Sequence, residues 1–264
     1  MIRVTRGDEP PELAVERAKR LPMAQQKVAA GEKLARTDLI GYDKARLRLY
    51  ASQHRKCAYC EDGTKMPYEP VEHFRPALRA IRGPSFADGG YWWLAWTWEN
   101  LLFACSICNS SFKKDLFRLE DGSPVMVPME ALPCDERAVL VDPADPLDVD
   151  PMDLIVYQPV GVRWIPTGRG GDARGAKIVE LLGLSDAGHL DRYEAHVDEY
   201  LQHHVDRLRS RAELDDVLGF RDAWDQAIRH VRPVRPWAAL AHDVLDHYFP
   251  AAVRAQMGVT LPRP

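Results

Sequence analysis

Four cysteines carry the first chemical signal in this 264-residue chain. Cys57-Ala58-Tyr59-Cys60 and Cys105-Ser106-Ile107-Cys108 are two C-x-x-C pairs, with residues 61–104 between them. Each pair offers two thiolates to one ion, and two pairs close a tetrahedral zinc sphere. Redox dithiols would want a βαβ context that surrounds neither pair, and unpaired buried thiols are the other bland alternative. The spacing favours a structural zinc held by Cys57, Cys60, Cys105 and Cys108. Such a site contributes on the order of 10 kcal/mol to local folding and would staple the long excursion between the pairs. That excursion and its flank hold Glu72-His73, Asn100 and Asn109, the tightest grouping of catalytic residue types in the sequence.

Short elements must position these residues. Val71-Glu72-His73-Phe74, within an alternating run from Tyr68, predicts a strand ended by Pro76, with Val71 and His73 on one face and Glu72 on the other. Residues 77–90, with Gly83, Pro84, Gly89 and Gly90, read as a loop. Asn100 to Ala104 predicts a return strand into Cys105, and 109–116 a short helix. Four of the seven tryptophans fall in 91–98; stacking on bases is one use, but core packing is the stronger expectation. Upstream, Pro22 should split the helical stretch 11–36 into two pieces, and 39–54 reads as a further helix. Downstream, Pro-rich residues 120–152 read as an irregular connector, and 154–165 as a hairpin. Helices are then expected over 172–182, 186–209, 211–230 and 236–248. His189, His196 and His203 recur every seven residues; a solvated or partner-facing stripe is favoured over a metal site, because two helical turns separate successive members.

Strand with Glu-His, return strand with Asn, helix opening on Cys-Asn: this order resembles the HNH nucleases, the ββα-metal group. Val71 to Pro76, Glu99-Asn100-Leu101-Leu102, and Cys105 to Ser110 followed by Lys113-Lys114 carry the match. The resemblance implies His73 as general base, Asn100 as the residue that holds the His-bearing loop, and Asn109 where the family keeps a metal ligand for Mg²⁺ or Mn²⁺. Glu72, where Asp is more usual, falls at a further catalytic position and ligand for that ion, its extra methylene moving the carboxylate outward. Arg75, Lys113, Lys114 and Arg118 are candidate phosphate contacts, although each alone is more ordinarily a solvated charge. The motifs Cys57-Ala58-Tyr59-Cys60-Glu61, Trp98-Glu99-Asn100-Leu101-Leu102, Val141-Asp142-Pro143 and Ala176 to Leu184 with Arg192 extend the likeness over most of the chain beyond about 45. They are similar to the PtuB family, the HNH subunit of Septu-type and some retron-associated antiphage systems. That family implies an ABC-type ATPase partner of the PtuA kind and nucleic-acid cleavage, on DNA or alternatively on transfer RNA. A third reading is an inactive zinc-stapled adaptor.

The expected fold is α+β: an N-terminal helical arm over 1–54, a zinc-stapled HNH core over 55–118, a Pro-rich connector with a hairpin over 119–171, and a helical region over 172–264. With 35 basic against 39 acidic residues, the net charge of −4 excludes bulk electrostatic coating of nucleic acid. Contacts must be local or supplied by a partner. No run of eighteen apolar residues occurs, the first ten residues lack a signal-peptide core, and paired cysteines suit a reducing cytoplasm. Cys134 has no companion in the sequence and reads as incidental.

Overall fold

The computed structural model describes residues 1–63, 69–83 and 86–264. Tyr68 of the expected strand and Pro84 of the expected loop fall outside them. The chain divides into two compact units, one of Val4–Tyr59 and Gly63–Val149, the other of Met1–Arg3, Cys60–Asp62 and Asp150–Pro264. Helices and three two-stranded antiparallel sheets, among the described residues, make it a mixed α and β protein.

In the first unit, helix α1 (Pro11–Ala29) runs unbroken through Pro22. This corrects the expected two pieces. Pro22 lies on the exposed side, where an outward-curving helix accommodates the ring, while Leu13 and Ala24 are buried. Gly31, at φ 76°, ends the helix. The Gly31 N–H donates to Val28 O and the Glu32 N–H to Lys27 O, the paired bonds of a Schellman cap, so the helix does not reach residue 36. The expected helix over 39–54 is also broken. Two 3₁₀ turns (Arg36–Leu39 and Tyr42–Ala45) precede α2 (Arg46–Ser52), because Gly41 between the turns adopts φ 97°.

Strand β1 (Val71–His73) pairs antiparallel with a strand at Leu101–Phe103, Val71 opposite Phe103 and His73 opposite Leu101. The segment expected as a loop contains a second hairpin, β2 (Ala80–Gly83) with β3 (Phe86–Asp88), so Leu101–Phe103 becomes β4. Gly90 brings the chain back at φ 67°; a Cβ there would stand 2.6 Å from the Pro76 carbonyl oxygen. The Tyr91 N–H donates to that same carbonyl. A π-helical segment, Ile107–Lys113, follows β4. The tryptophans are core: Trp96 and Trp98 pack with Leu13, Leu39, Leu49, Val71 and Phe103. Their indole N–H groups donate to Ile40 O and Gly7 O, which removes the cost of burying a polar atom.

The second unit is built on the hairpin β5 (Ile155–Val160) and β6 (Arg163–Gly168), turned at Gly161, preceded by the short α3 (Pro151–Leu154). Helices α4 (Ala173–Leu181), α5 (Ala187–His196), α6 (Gln202–Glu213), α7 (Val217–Ala227), α8 (Ala238–Tyr248) and α9 (Ala251–Met257) follow, the last without a sequence expectation. The break near residue 210 falls instead at Asp215, φ 50°. The histidine stripe is solvated only at His203. His189 and His196 are buried, and a π-helical turn at Val197–Leu201 between α5 and α6 shifts the register, so His204 rather than His203 turns inward. No helix among the described residues is long and apolar enough to cross a membrane.

Candidate active site

The four cysteines come together. Their Sγ atoms lie within 4.8 Å of one another and all four residues are buried. Four thiolates at about 2.3 Å from a zinc ion fit a group of this size, so the donor set suits the implied structural zinc. The Cys108 N–H points at Cys105 Sγ at 3.4 Å, which orders the second pair around its sulfur. Gln53, fully buried, fixes the strand that delivers Cys105: its Nε2 donates to Phe103 O at 2.8 Å and its Oε1 accepts from the Phe103 N–H at 2.9 Å. The sequence carried no signal for this clamp.

A cleft of about 730 Å³ opens on the first unit. His73, Asn109 and Lys114 line it, with Glu72, Ser110 and Asp115, and Arg36, Leu39 and Tyr42 form another part of its wall. His73 Nε2 lies 2.9 Å from the Ala95 carbonyl oxygen. A carbonyl only accepts, so Nε2 carries the hydrogen and Nδ1 keeps the lone pair. Tyr42 packs edge-on against the imidazole with ring centres 4.4 Å apart. Desolvation lowers the His73 pKa to about 4, the Ala95 bond opposing it, so the ring is neutral near pH 7. A neutral, oriented imidazole can accept a proton.

Asn100 is fully buried behind the histidine strand. Its Oδ1 accepts from the Arg75 N–H at 2.8 Å, and its Nδ2 donates to Arg75 O at 3.0 Å and Leu94 O at 3.3 Å. Asn109 stands on the π-helical segment, half-buried at the cleft. Glu72 is buried, its carboxylate paired with the Lys113 ammonium and facing the Tyr59 hydroxyl at 3.5 Å. Desolvation raises its pKa, Lys113 opposing the shift.

The four basic residues expected at phosphates separate clearly. Lys113 is buried against Glu72. Arg75 is buried against Glu136 at 3.1 Å and lies over the Phe74 and Phe117 rings. Arg118 is half-buried, with its Nε enclosed. Lys114 alone of the four lines the cleft with an exposed side chain, because its backbone reverses to φ 48° just after Lys113. Cys134 is within 3.4 Å of the Arg75 guanidinium. Arg36, Tyr42 and Asp115 were not singled out from sequence; Arg36 and Tyr42 reach the cleft from turns far upstream of the motif, a placement that no local pattern encodes.

No family model matches the chain, and no solved structure matches it. The chain is similar to the Septu protein PtuB of Bacillus mycoides (strain KBAB4), at 32% identity over 134 residues, 49% of this chain and 42% of that protein. It therefore spans less than half the length of the curated relative that it resembles.

Proposed function

We propose that the chain is a metal-dependent HNH endonuclease that hydrolyses phosphodiester bonds, with DNA favoured over RNA, as a component of a Septu-type antiphage system. The observation that carries the reading is one cleft lined by His73, Asn109 and the exposed Lys114, on an antiparallel strand pair and helical segment that lead into a four-cysteine centre. His73, neutral and with Nδ1 as its acceptor, takes the proton from the attacking water. Asn100 holds the peptide that follows the histidine strand. Asn109 offers an oxygen to Mg²⁺ or Mn²⁺, and an ion bound there supplies neutralisation of charge on the phosphate and leaving oxygen. Lys114 and Arg36 flank the cleft as phosphate contacts. The net charge of −4 supports delivery by a partner, an ABC-type ATPase of the PtuA kind, since bulk attraction to nucleic acid is weak.

The test is cleavage of supercoiled plasmid and of total transfer RNA with Mg²⁺ or Mn²⁺, by the chain alone and with its co-purified ATPase. Plasmid nicking that disappears with EDTA and in His73→Ala supports the reading. Cleavage of transfer RNA alone moves the substrate to RNA. Silence in every arm, the ATPase present, leaves the inactive adaptor.

A further inference from the structure

Glu72 has two possible employments on such a site, and its surroundings favour the one that the motif does not suggest. Successive residues of a strand alternate between its faces, and although Glu72 borders the cleft that His73 lines, its carboxylate is taken by other partners. On its side Glu72 meets Lys113, the last residue of the π-helical segment, and Tyr59, which stands between Cys57 and Cys60 in the chain. The same Lys113 ammonium donates to the His73 carbonyl oxygen at 2.9 Å. Lys113, Glu72 and Tyr59 are all buried. One cation thus joins the carboxylate of residue 72 to the backbone of residue 73, on a scaffold whose two ends belong to the two cysteine pairs. A carboxylate buried against an ammonium is costly to withdraw, because withdrawal strands a charge away from water. The longer glutamate side chain reaches this partner, which accounts for Glu where Asp is more usual.

We propose that Glu72 and Lys113 form a positioning ion pair that sets the backbone of His73 from the cysteine-centre side, so that Glu72 acts through Lys113 on the base and is not a ligand of the catalytic ion. This rests on the nuclease reading for its catalytic consequence, but not for its structural one.

Glu72→Gln, Lys113→Met, the double variant, Glu72→Asp and Lys113→Arg, all in the full chain, test it. Plasmid cleavage gives kcat, KM and the half-saturating Mn²⁺ concentration, and thermal melting gives Tm. Nitrogen-15 histidine spectra, with the His73 signal identified by its loss in His73→Ala, give the ring's environment. Each neutralising single variant strands one buried charge and lowers Tm, and the double variant recovers most of that loss. The folded double variant still has kcat at least tenfold below the parent, with KM and the Mn²⁺ half-saturation within twofold, and Lys113→Arg regains part of it. Glu72→Asp, too short to reach Lys113, behaves like Glu72→Gln. A tenfold or greater rise in Mn²⁺ half-saturation in Glu72→Gln but not in Lys113→Met overturns the proposal, as does full activity in Glu72→Asp with both variants folded. If the parent cleaves neither plasmid nor transfer RNA even with its co-purified ATPase, the nuclease reading fails separately. The melting cycle and the His73 signal then decide: additive losses of Tm, or an unmoved His73 signal in the double variant, overturn the pair.

Discussion

Asn100 grips the backbone of Arg75 from both sides: Oδ1 accepts from the Arg75 N–H at 2.8 Å, and Nδ2 donates to the Arg75 carbonyl at 3.0 Å. The two residues are 25 apart in the chain, and the backbone so held lies two positions beyond His73. With the third bond to Leu94 O, the side chain satisfies three backbone groups where water does not reach. Asn100→Ala strands the Arg75 N–H and carbonyl, while Leu94 O keeps its bond from the Thr97 N–H, and is expected to cost about 2–4 kcal/mol, from roughly 1 kcal/mol per bond plus the desolvation of stranded groups. Asn100→Asp should cost more despite its shape, since a carboxylate oxygen then faces two carbonyls. Urea denaturation of both variants checks the order; a milder loss in Asn100→Asp contradicts the assigned orientation of the amide.

His73→Ala should lower kcat by about 10²–10⁴, the usual worth of a positioned general base, with Tm little changed. Tyr42 packs edge-on against the ring, so Tyr42→Phe, which keeps that packing, should retain most activity and Tyr42→Ala should lose it. The pair of tyrosine variants, measured for kcat with melting as control, separates packing from hydroxyl chemistry.

The cluster of Cys57, Cys60, Cys105 and Cys108 should take up a zinc ion, and removing any one of them should prevent this and destabilise the segment around it. The expected stoichiometry is one zinc per chain by elemental analysis. Cys105→Ser should abolish it and lower Tm by more than 10 °C, in keeping with the on the order of 10 kcal/mol that structural zinc supplies. Cys134→Ser, outside the group, should change neither quantity.

The parts of this site that the sequence disclosed are those whose cause is local. C-x-x-C spacing, alternation at Val71 to Phe74 and the apolar run Leu101 to Phe103 each follow from a neighbour or two, and the cysteine cluster and the β1–β4 pairing agree with them. The parts that stayed hidden depend on partners far away or on a single dihedral. Gln53 clamps Phe103 across 50 residues, and Arg36 and Tyr42 reach the cleft from helical turns upstream. Lys113 and Lys114 look alike in sequence; a reversal at Lys114 buries the first and exposes the second. The period-seven histidines misled because one π-helical turn is enough to exchange His203 for His204.

Three histidines of the second unit, His196, His204 and His230, give the fold an acid limit. Desolvation holds His196, His204 and His230 each at about 4, below the ordinary 6.5. Glu61 works against the shift at His196; His203, His230 and Arg207 add to it at His204, and His196, Arg235 and His203 at His230. With folded values depressed, the unfolded chain binds protons that the fold refuses. Stability is therefore fully present above pH 6.5 and is lost as pH falls through that value toward 4. Tm measured from pH 7.5 to 4.5 should decline across this window, and His204→Gln should flatten the decline. An unchanged slope in that variant would count against His204 as a contributor.

Lys114 and Arg36 should act in binding rather than in chemistry. Both are exposed at the cleft, and neither has a role in the buried scaffold that Lys113 and Arg75 serve. A phosphate contact releases condensed counterions, so its loss weakens binding and also makes it less sensitive to salt. Lys114→Ala should raise KM with little change in kcat and reduce the slope of log affinity against log salt by about 1, and Arg36→Ala should do the same. The double variant should lose about 2 from the slope. Binding of a short duplex by His73→Ala protein, with and without these changes, at several salt concentrations measures it directly. An equal slope in all of them would remove both residues from the phosphate path and leave the cleft's contacts to a partner.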